Sequence, residues 1–209
     1  MKIGLQITKN EKKYDRLLSL IKSDFSQDVD FIHIPDEDSL KSNFKNLDAL
    51  VCYGIKKENF DYRSDKLKWI HIGASGVDGN LFPELIKSKV MITNAKGINA
   101  KPVAEFIMSQ ILYFSKQLHS CEAFKQNRVW NQWELAKNTL QLSDLTLGII
   151  GYGEIGKELS KLAKPFGMKV MATRRLQKKI ENKKFVDQLV PLDDCLLYTS
   201  DAADEEDSV

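Results

Sequence analysis

The stretch Leu147–Arg175, LGIIGYGEIGKELSKLAKPFGMKVMATRR, decides the fold. The run LTLGII, ending at Ile150, is apolar without alternation and reads as a buried strand. Gly151, Tyr152, Gly153, Glu154, Ile155 and Gly156 follow, in Gly-x-Gly-x-x-Gly spacing. Ile155, Leu159, Leu162, Ala163 and Phe166 then recur at helical spacing, and Gly167 is placed to cap the helix. KVMATRR is the next strand. Strand, glycine turn, helix and strand form the context in which this spacing binds a dinucleotide. Gly151 permits the tight turn, Gly153 lets the backbone approach a pyrophosphate, and Gly156 lets the helix pack against the strand. The free N–H groups and dipole at the helix start favour the anion. An ordinary glycine-rich turn can carry the same letters, so the six residues are candidates on context, not on spacing alone.

The residue that meets the adenine ribose ends the second strand, about 20 positions on. An acid there accepts from the 2′-hydroxyl of NAD and repels a 2′-phosphate. Here the position falls at Arg174, followed by Arg175. A guanidinium pairs bidentately with phosphate. The expected cofactor is therefore NADP(H) in preference, with NAD(H) as the alternative. Solvent-facing arginines would be the plainer account of the same pair.

Outward from this stretch, strands and helices alternate along the chain. KIGLQI (Lys2–Ile7), VDFIHI (Val29–Ile34), ALVCYG (Ala49–Gly54), LKWIHIGAS (Leu67–Ser75) and VMITNA (Val90–Ala95) read as strands. Helical spacing appears at Tyr14, Leu17, Leu18 and Ile21, and again from Ser39 to Phe44. Pro102 is expected to open a long helix running to about His119, and a polar segment with Trp130 and Trp133 follows. The fold class is α/β: mainly parallel sheets covered on both faces. Two Rossmann-like domains are expected, with a boundary near residue 100. Residues 1–99 form a flavodoxin-like unit, and 100–194 an incomplete dinucleotide-binding unit.

Composition limits the functional classes. The 209 residues carry 31 bases against 29 acids, a net charge of +2, which argues against a nucleic-acid or membrane surface. No window approaches the roughly 18 apolar residues of a membrane span. The N-terminal apolar run is too short for a signal peptide. Cys52, Cys121 and Cys195 fall in no metal or redox spacing, and so sparse a count suits a reducing cytosol. A cytoplasmic protein without a metal is expected. His33, His71 and His119 have no motif around them and are assigned no catalytic role.

At this point the chain resembles the D-isomer-specific 2-hydroxyacid dehydrogenases, which include glyoxylate/hydroxypyruvate reductases. The likeness is carried in order by LKWIHIGASGVDGN (Leu67–Asn80), ITNAKGINAKPVAEFIMSQIL (Ile92–Leu112), NQWELAKNTLQLSDLTLGIIGYGEIG and GMKVMATRR. The resemblance implies hydride transfer between NAD(P)H and the C2 carbon of a small 2-oxo acid, in a cleft between two domains. It places the backbone of Ser75, Gly76 and Val77 near the substrate carboxylate, where successive N–H donors suit an anion. Asn94–Val103 would lie near the nicotinamide, and Glu105 is read as structural, an acid in a first helical turn. The Arg, Glu and His that clamp and protonate substrate in the family are expected beyond the end of this chain, so no catalytic residue is assigned here. A homodimer through the cofactor domain is implied for the full-length protein. Two rivals remain: a dinucleotide-sensing co-repressor of the same fold, and a phosphoglycerate- or formate-type dehydrogenase.

LVPLDD (Leu189–Asp194) resembles the family's third cofactor-domain strand and turn. CLLYTSDAADEEDSV after it does not: Asp193–Val209 holds seven acids and no Lys or Arg. Cys195–Val209 also resembles translated sequencing-adapter sequence and is expected to be non-native. An unpaired sheet edge is expected after KVMATRR, with the aggregation such edges invite.

Overall fold

The computed structural model describes residues 1–22, 24, 28–175, 181–193 and 195. The chain forms two compact units, one of Met1–Ile98 and one beginning at Asn99.

In the first unit the elements are β1 (Lys2–Gln6), α1 (Glu11–Lys22), β2 (Asp30–His33), α2 (Glu37–Phe44), β3 (Ala49–Cys52), α3 (Lys57–Phe60), β4 (Trp69–Ile72), α4 (Pro83–Ile86) and β5 (Met91–Asn94). The strands pair in parallel in the order β2-β1-β3-β4-β5, which is the flavodoxin-like order. α2 starts at Asp36, whose carboxylate accepts from the Ser39 amide at 2.8 Å and satisfies one of the orphan N–H groups of the first turn. Its Leu40 and Phe44 are fully buried against Leu50, Ile70 and Ile72. Each such side chain contributes about 1.5–3 kcal/mol of burial. α1 covers the other face, where Tyr14 packs with Ile3, Leu5 and Ala49. A Cβ on Gly4 of β1 would lie 2.6 Å from Leu47 Cδ1, so a larger residue there would have to displace the Leu47 side chain.

The second unit contains α5 (Ala100–Ser115), α6 (Leu118–Asn127), α7 (Gln132–Asn138), β6 (Thr146–Ile150), α8 (Glu154–Ala163), β7 (Lys169–Thr173), β8 (Glu181–Lys183) and β9 (Val186–Leu189). The sheet order is β6-β7-β9-β8, parallel except for β8. Ala104 and Met108 of α5, Leu159 and Ala163 of α8, and Ile149, Val170, Ala172, Val186 and Leu189 of the sheet make one buried cluster. A short 3-10 turn, Lys164–Phe166, extends α8 and is closed by Gly167 at φ 79°.

Five local expectations change. The long helix begins at Ala100, so Pro102 is its third residue, still within the turn whose N–H groups lack helical partners. It stops at Ser115, not near His119, because Gln117 turns left-handed at φ 54°; α6 follows from Leu118, and α7 lies in the segment read as polar. Glu105 lies beyond the first turn and is exposed, so the helix-dipole role does not apply. The strand placed at Leu189–Asp194 is Val186–Leu189, and it pairs with β7. β7 is therefore an interior strand; among the described residues the outer strands of this sheet are β6, where Ile150 is 68% exposed, and β8.

Cys195, the first residue of the terminal stretch set apart above, is buried with Met171 and Val190. Residues 196–209 lie outside the described residues.

Candidate functional site

The glycine turn is built by three different local demands. Gly151 sits at φ 104°, where L side chains are strained. Gly153 is the N-cap of α8 and offers no side-chain cap to the first turn. A Cβ on it would meet nothing within 4 Å, so the backbone there is open. Gly156 is buried, and a Cβ would lie 2.9 Å from the Gly151 carbonyl and 3.0 Å from Ile149 Cγ2. The amides of the first turn of α8 have no carbonyl one turn back. With no capping side chain and open space beside Gly153, this helix start fits an anion such as a pyrophosphate.

Tyr152 is half-buried against the α5–α8 cluster, and Ile155 is exposed. Glu154 makes an ion pair with Lys157 at 2.9 Å on the outer side of the helix's first turn. The Gly151 and Tyr152 amides both donate to the Thr173 carbonyl, at 3.0 and 2.7 Å. Thr173 is buried at the end of β7, and exposed Arg174 and Arg175 follow directly. The glycine turn and the arginine pair are thus brought together by backbone hydrogen bonds. Thr173 was not singled out from sequence; a threonine ending a strand carries no signal that its carbonyl is the anchor.

Behind the turn, Asp187 of β9 ties the sheet to the end of α8. Its carboxylate accepts from Lys164 Nζ at 2.8 Å and from the Val170 amide at 2.7 Å. The lysine foremost, then that amide, hold its pKa below the usual carboxylate range.

The second candidate lies in the first unit, in the loop after β4. Asn94, at the end of β5, donates from Nδ2 to the Ser75 carbonyl at 2.6 Å. Ser75 Oγ reaches the Ala95 carbonyl at 3.4 Å. Asn80 closes the loop: its amide donates to the Val77 carbonyl at 2.7 Å, and its Oδ1 accepts from the Ile55 amide at 2.9 Å. Among the described residues, the amides of Ser75, Gly76 and Val77 have no hydrogen-bond partner. The loop thus has consecutive free donors while the Ser75 and Val77 carbonyls are held. Sequence reasoning placed Asn94 only in the segment expected near the nicotinamide and gave Asn80 no role; that these two side chains shape the loop was missed, and their positions at turn ends were the available signal.

The histidines are held elsewhere. His33 stacks on Tyr14 at 4.2 Å and its Nε2 lies 2.8 Å from the Thr8 carbonyl. His71 Nδ1 meets Thr93 Oγ1 at 2.9 Å. Among the described residues, no group of acids, histidines and cysteines is arranged to hold a metal ion.

Comparison with known proteins bears directly on this arrangement. Residues 108–202 match the family described as D-isomer specific 2-hydroxyacid dehydrogenase, NAD binding domain. A glyoxylate reductase of Thermococcus litoralis is 30% identical over 151 residues, 69% of this chain and 46% of that protein. A D-3-phosphoglycerate dehydrogenase of Dictyostelium discoideum is 31% identical over 65% of this chain and 33% of its own length. The chain thus spans about half the length, or less, of such curated relatives. Among solved structures, a D-isomer specific 2-hydroxyacid dehydrogenase family protein from Aeromonas salmonicida superposes with a TM-score of 0.75 at 22% identity, covering 96% of this chain and 61% of that one. A D-lactate dehydrogenase from Aquifex aeolicus, complexed with NAD and lactic acid, gives 0.66 at 20% identity over 95% of this chain and 58% of that one. At these identities the structural likenesses speak for the fold.

Proposed function

Because the chain belongs to the D-isomer specific 2-hydroxyacid dehydrogenase family, we propose that it is part of an oxidoreductase moving a hydride between a nicotinamide dinucleotide and the C2 carbon of a small 2-oxo acid of the glyoxylate or hydroxypyruvate type. Within that reading the glycine turn, Gly151 to Gly156, holds the pyrophosphate, and the free amides of Ser75, Gly76 and Val77 receive the substrate carboxylate. The cofactor supplies the hydride; this chain's residues bind and orient. No residue of the chain is assigned to proton transfer.

The finer cofactor reading is a preference for NADP(H). It is carried by one observation: the hydrogen bonds from Gly151 and Tyr152 to Thr173 set exposed Arg174 and Arg175 beside the turn that receives the pyrophosphate. A 2′-phosphate there gains charge-assisted hydrogen bonds that a 2′-hydroxyl does not. Titrating the chain with NADPH and NADH by calorimetry tests it. NADPH is expected to bind at least about tenfold more tightly, the effect of one charge-assisted contact of about 1.4 kcal/mol or more. Equal or tighter binding of NADH would overturn the preference.

The full-length enzyme is proposed to be a homodimer. Trp130 and Trp133, 87% and 73% exposed near α7, give apolar surface of the kind an interface covers. Three free cysteines suit a cytoplasmic location, and no helix among the described residues is long and apolar enough to cross a membrane.

A further inference from the structure

We infer that Asn80 is a positioning residue of the carboxylate seat: by gripping the end of β3 it holds the Ser75, Gly76 and Val77 amides where an anion can meet them. The inference rests on the role proposed above for those amides. The backbone ladder ends just before this loop. Ile72 of β4 lies opposite Cys52 of β3 and Asn94 of β5. One step on, the Gly73 amide donates to the Cys52 carbonyl at 2.7 Å, and the Ala95 amide reaches the Ile72 and Ala74 carbonyls at 3.1 and 3.2 Å. Among the described residues, no strand partner holds Ser75, Gly76 or Val77. The local sequence does not hold them either. Gly76 and Gly79 have nothing within 4 Å of a Cβ position, and glycine has the most backbone freedom to lose. Val77 packs against the core cluster, which fixes one point of the loop and leaves the direction of its amides to be set.

Asn80 supplies the second point. It ends the short 3-10 turn Asp78–Asn80, and its amide closes that turn on the Val77 carbonyl at 2.7 Å. Its carboxamide crosses to the end of β3, where Oδ1 accepts from the amide of buried Ile55 at 2.9 Å. The crossing depends on Gly54, where a Cβ would lie 2.8 Å from that Oδ1. On the other flank Asn94 of β5 holds the Ser75 carbonyl. These ties use two carbonyls of the loop and the amide of Ile55, and none of them uses an amide of Ser75, Gly76 or Val77. Donors held in place in this way bind an anion without the cost of ordering them at the moment of binding. Gly54 and Asn80 act through one contact, so a methyl group at position 54 should have the same effect as loss of the Asn80 carboxamide.

The test uses the whole chain, isotope-labelled for amide spectroscopy, and oxamate, an unreactive carboxylate analogue of a 2-oxo acid. In the parent, oxamate is expected to shift the Ser75, Gly76 and Val77 amides saturably. Asn80→Ala and Gly54→Ala are each expected to weaken oxamate about tenfold, the order of one lost hydrogen bond. Both should move those three amides before any ligand is added, speed exchange of the Ile55 amide, and leave the Leu5 and Leu50 amides of the sheet unchanged. The double variant should bind no more weakly than either single one, because the two changes break the same contact. A residue that served stability alone would lower the unfolding midpoint and leave oxamate affinity as in the parent. Parent affinity in both single variants, or additive losses in the double variant, would overturn the role of Asn80 while leaving the seat intact. No shift at Ser75–Val77 in the parent would remove the seat itself, and the role of Asn80 with it.

Discussion

The Tyr152 amide donates to the Thr173 carbonyl at 2.7 Å, which locks the second residue of the glycine turn to the last residue of β7. The Gly151 amide shares that acceptor. Both bonds are backbone to backbone, so side-chain substitutions beyond Thr173 leave the anchor in place. Cofactor choice can then be altered without rebuilding the turn.

Arg174→Asp exploits this. Removing a guanidinium–phosphate contact, worth about 1.5–3 kcal/mol, is expected to lower NADPH affinity roughly 10- to 100-fold, and the new carboxylate to raise NADH affinity. Dissociation constants for both nucleotides check it. An unchanged ratio would show that Arg174 does not meet the 2′-phosphate.

Two glycines should respond in opposite ways to alanine. At Gly156 the added methyl meets the Gly151 carbonyl and Ile149 at 2.9 and 3.0 Å, and overpacking of this kind costs about 1–3 kcal/mol. At Gly76 it meets nothing within 4 Å and the backbone is not in the left-handed region, so the change should stay within about 0.5 kcal/mol. Urea unfolding of both variants gives the comparison; a Gly156→Ala protein as stable as the parent would contradict the close approach of α8 to β6.

Asp187 gives the second unit an acid-sensitive tie. Its pKa is lowered in the folded chain, principally by the Lys164 hydrogen bond. The folded state therefore holds fewer protons than the unfolded state across that window. The stabilisation is present above the carboxyl's unfolded pKa and disappears as pH falls through the folded value. The carboxylate is nearly half exposed, so water weakens the effect. Asp187→Asn should flatten the loss of thermal stability below about pH 4, near the ordinary Asp pKa. A parallel loss in variant and parent would remove Asp187 from the account.

The three thiols should label in a fixed order. Burial pushes the Cys52 pKa up to about 11, and burial also raises that of Cys195. Cys121 is half-buried. Since the thiolate is the nucleophile, iodoacetamide at pH 8 should modify Cys121 first and Cys52 only on unfolding, read by peptide mass spectrometry. Early modification of Cys52 would place it nearer solvent than the core position described.

The five strands of the first unit were legible in the sequence because each is a short apolar run between turn residues, and burial on both faces writes itself into such runs. The glycine turn was legible for the opposite reason: Gly151 and Gly156 stand where other residues are strained or do not fit. The end of α5 was not legible. Gln117 adopts φ 54° without being glycine or asparagine, and what satisfies that helix end comes from far along the chain. Leu140 donates to the Ser115 carbonyl at 2.8 Å, and Gln117 Nε2 reaches the Asn138 carbonyl at 3.0 Å. β9 was misplaced because VPLDD looks more like a strand and turn than KFVDQL does. The Asp187 carboxylate, bonded to the Val170 amide, helps seat Val186–Leu189 beside β7, and a spacing rule cannot see a side chain acting across two strands.

The two borders of the β6-β7-β9-β8 sheet differ in what they permit. β8 is Glu-Asn-Lys, three residues long, with an irregular register against β9. Short, charged, bulged margins discourage further pairing. β6 is Thr-Leu-Gly-Ile-Ile, longer and apolar. Among the described residues, then, one margin of the sheet is finished and the other is still receptive to a further strand.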